Sequence, residues 1–138
     1  MFNFFNSILN FFFPPVCGFC GEISKNFICD NCKNIVDQIS ASSVDIYSNS
    51  NYFFNQHFYL FKYENIIRYT ILQYKFLDNP YLYKTFATLF TSNPQFCDFI
   101  KNYNCITCVP LSQKHFNQRG YNQSALIARA LAKKLNIK

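Results

Sequence analysis

Two cysteine pairs near the N-terminus, Cys17-x-x-Cys20 and Cys29-x-x-Cys32, lie eight residues apart and constrain this chain more than any other feature. Two cysteines three positions apart wrap one turn of backbone around a cation, with N–H groups aimed at the sulfurs. Two such knuckles supply the four thiolates of a closed, tetrahedral site. Gly21, directly after the second cysteine, suits the tight backbone that a knuckle needs. Ligand count and spacing predict a structural zinc site on Cys17, Cys20, Cys29 and Cys32.

Other uses of the cysteines fit less well. A disulfide framework needs an oxidising compartment, and the Phe- and Asn-rich stretch before Pro14 has neither a basic leader nor a small-residue cleavage site. A lipoprotein signal wants a small residue before its cysteine, where Val16 stands after Pro14 and Pro15. A dithiol redox centre needs only one pair. No apolar run approaches the roughly 20 residues that span a bilayer, so the expectation is a cytoplasmic protein with no membrane span.

Half of the residues are hydrophobic, with Phe 18, Tyr 10 and Trp 0, so a packed core is within reach. The formal net charge is +6, and four thiolates around a divalent cation would reduce it to +4. Lys101, Lys114, Arg119, Arg129, Lys133, Lys134 and Lys138 all lie beyond Asp98, and no Asp or Glu follows it. Such a segment favours phosphorylated partners, nucleic acid or a phosphorylated metabolite. For Lys133 and Lys134 the solvated face of a terminal helix is an equal alternative.

Along the chain, Phe2, Phe5, Leu9 and Phe12 form a helical stripe that Pro14 and Pro15 stop. Residues 33–39 read as one or two helical turns, and the Ser- and Asn-rich residues 40–56 as a linker. The division is therefore a zinc module over 1–39, a linker over 40–56 and a main domain over 57–138. Within that domain, residues 57–63 alternate as a strand, and 64–76 read as a helix with Ile67, Ile71 and Tyr74 inward. A second helix spans 81–91, residues 105–109 form a short β-type run, 111–121 a polar loop, and a helix starts at Asn122 or Ser124. Strand, loop and helix in that order suggest the first unit of an α/β sheet. Cys105 and Cys108 would point to opposite faces of the strand, so they and Cys97 read as small core residues. His57 is expected at a strand boundary, His115 on an exposed loop, and the aromatics of 52–63 in the core.

In open α/β sheets a strand-to-helix junction is where ligands bind. The loop after Val109 carries Ser112, Lys114 and Arg119 as donors, with Gly120 allowing close backbone approach and a helix dipole following. A plain surface loop is an equal reading.

The whole ordered set resembles the ComF family of competence-associated proteins: prolines leading into the two cysteine pairs, then Tyr63-Glu64, then Tyr74-Lys75-Phe76, Val109-Pro110-Leu111 and Arg119-Gly120-Tyr121-Asn122-Gln123. The likeness covers essentially the whole chain. It implies a small N-terminal four-cysteine zinc ribbon followed by a phosphoribosyltransferase-like α/β domain, with a role in DNA uptake during natural transformation. Pro110, Leu111, Ser112 and Lys114 would map to the loop that holds pyrophosphate. Arg119, Gly120 and Lys75 would lie near the phosphates. The family's later strand with two acidic residues and a Thr-Thr-Gly-type loop has no counterpart, and no carboxylate follows Leu111. The α/β domain is therefore expected to be incomplete and inactive on its own, taking Mg²⁺ only if a C-terminal part completes it. Expected partners are a separate C-terminal chain or a second copy, single-stranded DNA, or the competence machinery. The alternative is a non-catalytic zinc-ribbon module that binds single-stranded DNA or a protein.

Overall fold

A computed structural model describes residues 14–47 and 53–138. The helical stripe expected over 2–13 lies outside these residues. The described elements are α1 (Asp30–Gln38), β1 (Ser43–Ile46), β2 (Gln56–Tyr59), α2 (Asn65–Phe76), a 3-10 turn (Pro80–Leu82), α3 (Tyr83–Thr91), α4 (Pro94–Ile100), α5 (Gln113–Arg119) and α6 (Gln123–Leu135). The architecture is mixed α/β and mostly helical, with one small antiparallel sheet.

Local chemistry sets the helix ends. Asn93 accepts the Phe96 N–H at 2.8 Å, and Pro94 at the first helical position pre-sets φ for α4. Ser112 caps α5 by accepting the His115 N–H, and Gly120 ends that helix at φ 73°, a conformation glycine adopts at no steric cost. Asn122 caps α6 through Ala125 N–H at 3.1 Å, and Asn136 closes it at φ 54°.

The sheet pairs Ser43 with Tyr59, Val44 with Phe58, Asp45 with His57 and Ile46 with Gln56. The 40–56 stretch expected as a linker thus supplies one of the two strands. The strand expected over 57–63 stops at Tyr59, where the chain turns so that Leu60, 5 % exposed, enters the core and its carbonyl accepts the Ala41 N–H. His57 sits inside β2 rather than at its boundary.

Further expectations are corrected. Residues 105–109 lie in no strand. Extended backbone counts as sheet only when a neighbour takes its N–H and C=O groups, and here Ile106 N–H goes to the carbonyl of Lys138. Residues 113–119 are helical instead of loop, because Ser112 caps their first turn. Helix α4 has no counterpart in the sequence reading, since seven residues are too few for a periodicity signal. Among the described residues there is consequently no parallel strand-loop-helix unit. Cys105 is also exposed rather than core, and Cys97 and Cys108 are only half-buried.

The core runs as three contiguous clusters along α3. Cys17, Phe19, Cys32, Val36 and Ile67 pack together, with Leu89 against them. Tyr74, Leu82 and Phe86 form the second cluster, and Ala87, Phe96 and Leu131 the third. The cysteine module and the helices therefore share one core across the expected linker. Helix α6 lies against α3 through Leu131 and exposes no large hydrophobic side chain. The first cysteine knuckle sits directly on α3: Thr85 donates to the Phe27 carbonyl at 3.2 Å, and Gly18 N–H reaches the same carbonyl at 3.0 Å.

A methyl group at Gly18 would overlap the Thr85 hydroxyl and come within 2.9 Å of Leu82 Cδ2, a side chain with no exposed surface. Gly18→Ala should therefore destabilise the fold by about 1–3 kcal/mol, as overpacking does. Urea unfolding followed by far-UV dichroism measures this, and unchanged stability would mean that the knuckle does not seat against α3.

Candidate functional site

Each cysteine pair is shaped by its backbone. Around the first, Val16 bridges Ile23, Cys17 N–H donates to Glu22 O at 2.8 Å, and Gly21 N–H returns to Cys17 O at 2.9 Å. This tight reversal places Gly21 at φ 76°, where glycine's missing Cβ is needed. The second pair opens α1, with Cys29 at the N-cap position and Cys32 inside the first turn. A helix start aims free N–H groups and a partial positive charge at nearby sulfur.

The two knuckles bring the four sulfurs within 4.8 Å of one another, a set that can hold one metal ion. Cys29 N–H points at Cys17 Sγ at 3.4 Å, and Cys20 Sγ stands 3.7 Å from Cys29 Sγ. The latter separation is far beyond a disulfide bond of about 2.0 Å, and all four thiols are free. Cys17 and Cys32 are buried while Cys20 is exposed, so the centre sits at the edge of the core with one side toward solvent.

The electrostatics suit a cation. Burial alone would raise the Cys17 thiol, but hydrogen bonds from the backbone of Cys20, Cys29 and Phe19 outweigh it and bring the thiol down to about 7. Burial pushes the Cys32 thiol far up, and the other three cysteines push it further. Four sulfurs this close cannot all ionise against one another unless a positive charge sits among them. Cys97, Cys105 and Cys108 contribute nothing to the cluster.

The second group of expected residues divides. Lys75, at the end of α2, and Arg119 and Gly120, at the end of α5, line one cleft of about 600 Å³ together with Phe76, His115 and Tyr121. Pro110, Leu111, Ser112 and Lys114 do not line it. Ser112 is engaged as a helix cap, with its Oγ also 3.2 Å from His115 Nδ1, and Lys114 is exposed on α5. Arg119 lies over the Phe76 ring, 5.2 Å from its centroid, and Nη1 donates to Gln123 Oε1 at 3.3 Å. Neither Lys75 nor Arg119 enters an ion pair among the described residues. The cleft's one carboxylate is Asp78.

Behind the cleft lies a polar network that the sequence pattern does not mark. Tyr74, 3 % exposed, donates to the Gln123 carbonyl at 2.8 Å, and Tyr121 donates to the Tyr74 carbonyl. Burial raises the Tyr74 phenol well above its ordinary value, with nearby Tyr121 adding to the shift, and burial also raises the Tyr121 phenol, with nearby Asp78 adding to it. Both therefore stay neutral and keep their donor protons. The sequence turns Tyr74 inward on its helix, but the hydrogen bonds that join it to Gln123 and Tyr121 run between residues 47 or more positions apart and no local pattern marks them.

Among the described residues no helix is long and apolar enough to cross a membrane. No family model, curated protein or solved structure matches the chain.

Elemental analysis of the purified chain should find one metal ion per chain. Cys20→Ser should abolish that metal while Cys108→Ser leaves it unchanged, since only the former touches the cluster. Metal lost on Cys108→Ser would refute the ligand assignment. Tyr74→Phe should cost about 0.5–1.5 kcal/mol in thermal unfolding, because it removes one buried hydrogen bond to the Gln123 carbonyl.

Proposed function

We propose that this chain is a ComF-like protein of the phosphoribosyltransferase family, associated with DNA uptake, in which a structural zinc ion holds the N-terminal module and the Lys75–Arg119 cleft takes the phosphates of a phosphorylated ligand. The observation that carries the binding site is the convergence of Lys75 and Arg119, distant in sequence, on one cleft, with no ion pair among the described residues to neutralise either. Arginine presents a planar fork that matches phosphate oxygens, and lysine adds a point charge. Gly120 leaves backbone open beside them, with nothing within 4 Å of where a Cβ would stand.

Zinc is supported by the donor set. Four thiolates are soft ligands, and zinc accepts them tetrahedrally at about 2.3 Å, which corresponds to a sulfur–sulfur edge of about 3.8 Å. The separation of 3.7 Å between Cys20 and Cys29 agrees with that edge. Mg²⁺ is a poor fit to the cleft, where Asp78 is a single carboxylate beside two cations. The proposed activity of these residues is therefore binding, and no transfer step is derived from them.

A second face favours the reading as a binding module for single-stranded DNA. Lys84, Lys133 and Lys134 surround Phe27 and Tyr83, with Lys84 Nζ 5.4 Å from the Phe27 ring centroid and 6.0 Å from that of Tyr83. Cations interleaved with aromatic rings suit a phosphate backbone with stacked bases.

Calorimetric titration of the metal-loaded chain with phosphoribosyl pyrophosphate, and separately with a single-stranded oligonucleotide across a salt series, tests both readings. Arg119→Ala should weaken phosphoribosyl pyrophosphate by about tenfold or more, as loss of a charged fork does. Exchanging Lys133 and Lys134 for Gln should reduce the oligonucleotide's salt slope by about 0.7 for each phosphate left without its lysine. No binding of phosphoribosyl pyrophosphate at low salt, or an Arg119→Ala chain that binds it normally, would overturn the cleft. A salt-independent oligonucleotide interaction would overturn the DNA face.

A further inference from the structure

Gln123 stands out among the buried polar residues. It is 7 % exposed, opens α6, and its Nε2 has no hydrogen-bond partner among the described residues. Its Oε1 accepts from Arg119 Nη1 at 3.3 Å, and its backbone carbonyl accepts from the Tyr74 hydroxyl at 2.8 Å. The amide has only this orientation open to it, because turning it over would set two donors against each other. The Tyr121 hydroxyl, bonded to the Tyr74 carbonyl, ties the same helix start to α2. Gln123 is thus fixed through its main chain, and its side-chain oxygen is a stationary acceptor.

The Arg119 guanidinium is held from two sides, on its face by the Phe76 ring at 5.2 Å and at one N–H by Gln123 Oε1. A guanidinium has five N–H donors, so the others remain for the cleft that Arg119 lines. A long, flexible side chain would otherwise lose much rotamer freedom on binding. Restraint before binding removes that cost and fixes the direction in which the fork is presented.

We infer that Gln123 is the positioning residue of the cleft: with Phe76 it holds the Arg119 guanidinium in one orientation, and so selects pyrophosphate, which spans the Arg119 fork and Lys75 together, over orthophosphate. This rests on the cleft being the phosphate site.

The test is a double-mutant cycle on the full, metal-loaded chain, titrated with pyrophosphate and with orthophosphate. Gln123→Met has nearly the same length, and its thioether is only a weak acceptor with no donor. It should weaken pyrophosphate about tenfold and orthophosphate about twofold or less, with unchanged metal content. Added to Arg119→Ala, it should cause no further loss, because Gln123 acts through Arg119. A residue that merely supports the fold would give losses that add and that fall equally on both anions, and either result would overturn the inference. Should Gln123→Met melt early, Gln123→Glu keeps length and acceptor but neutralises the fork. It should lose pyrophosphate binding more completely than Met while melting normally, and normal pyrophosphate binding by Gln123→Glu would also overturn the inference. Binding that Arg119→Ala weakens and Gln123→Met leaves intact overturns this inference alone, whereas an unaltered chain that binds neither anion overturns the cleft and the inference with it.

Discussion

The convergence of four cysteine sulfurs at the edge of the core is the constraint on which the rest of this structure depends. Cys17 and Cys32 are at once members of the sulfur cluster and members of the hydrophobic cluster that includes Phe19, Val36 and Ile67. A buried aliphatic or aromatic side chain contributes about 1.5–3 kcal/mol, whereas a structural four-ligand zinc site in a small module is worth about 10–16 kcal/mol at neutral pH. A metal on this cluster would therefore outweigh several neighbouring side chains together. Because Thr85 on α3 and Gly18 of the first knuckle share the Phe27 carbonyl, and the second knuckle opens α1, the cluster is coupled directly to the helical core.

The cationic cleft depends on this packing at one remove. Helix α2 faces the sulfur cluster through Ile67 and carries Tyr74 and Lys75 further along. Tyr74 fixes the start of α6, and the turn before it, closed by Gly120, sets Arg119 beside Phe76. Position passes from the sulfur cluster to the basic residues through ordinary packing and two tyrosine hydroxyls. Each hydrogen bond is worth only about 1 kcal/mol net, but leaving a buried carbonyl unpaired costs more than making the bond returns. Geometry at the cleft is thus held by penalties as much as by attractions.

Helices α2 and α6 are legible in the chain because each carries an apolar stripe at helical spacing, and the structure buries Ile67 and Tyr74, and Leu131, on those stripes, while Pro80 and Pro94 bracket α3. Helices α4 and α5 are seven residues each. At that length caps decide more than periodicity does, and Asn93 and Ser112 are ordinary loop residues until the helix behind them is seen. The β-type run at 105–109 has the right residue types but no strand beside it, and propensity without a partner does not make a sheet. The family resemblance groups Lys75, Arg119 and Gly120 with Pro110, Leu111, Ser112 and Lys114 as one phosphate-side set, of which one cleft gathers only the first three.

What the sequence determined alone is what depends on short-range chemistry: the cysteine spacing that makes each knuckle, the stripes that make the long helices, and the glycine and asparagine residues at their ends. These are set within a few residues of backbone, so linear order suffices to read them. Only the tertiary structure decided that the cysteine module shares its core with the helices, that α2 and α5 end beside each other, and that Gln123 lies buried against Arg119. Those outcomes turn on which apolar faces meet and which buried donors find acceptors, and these are relations between distant residues that no local pattern encodes.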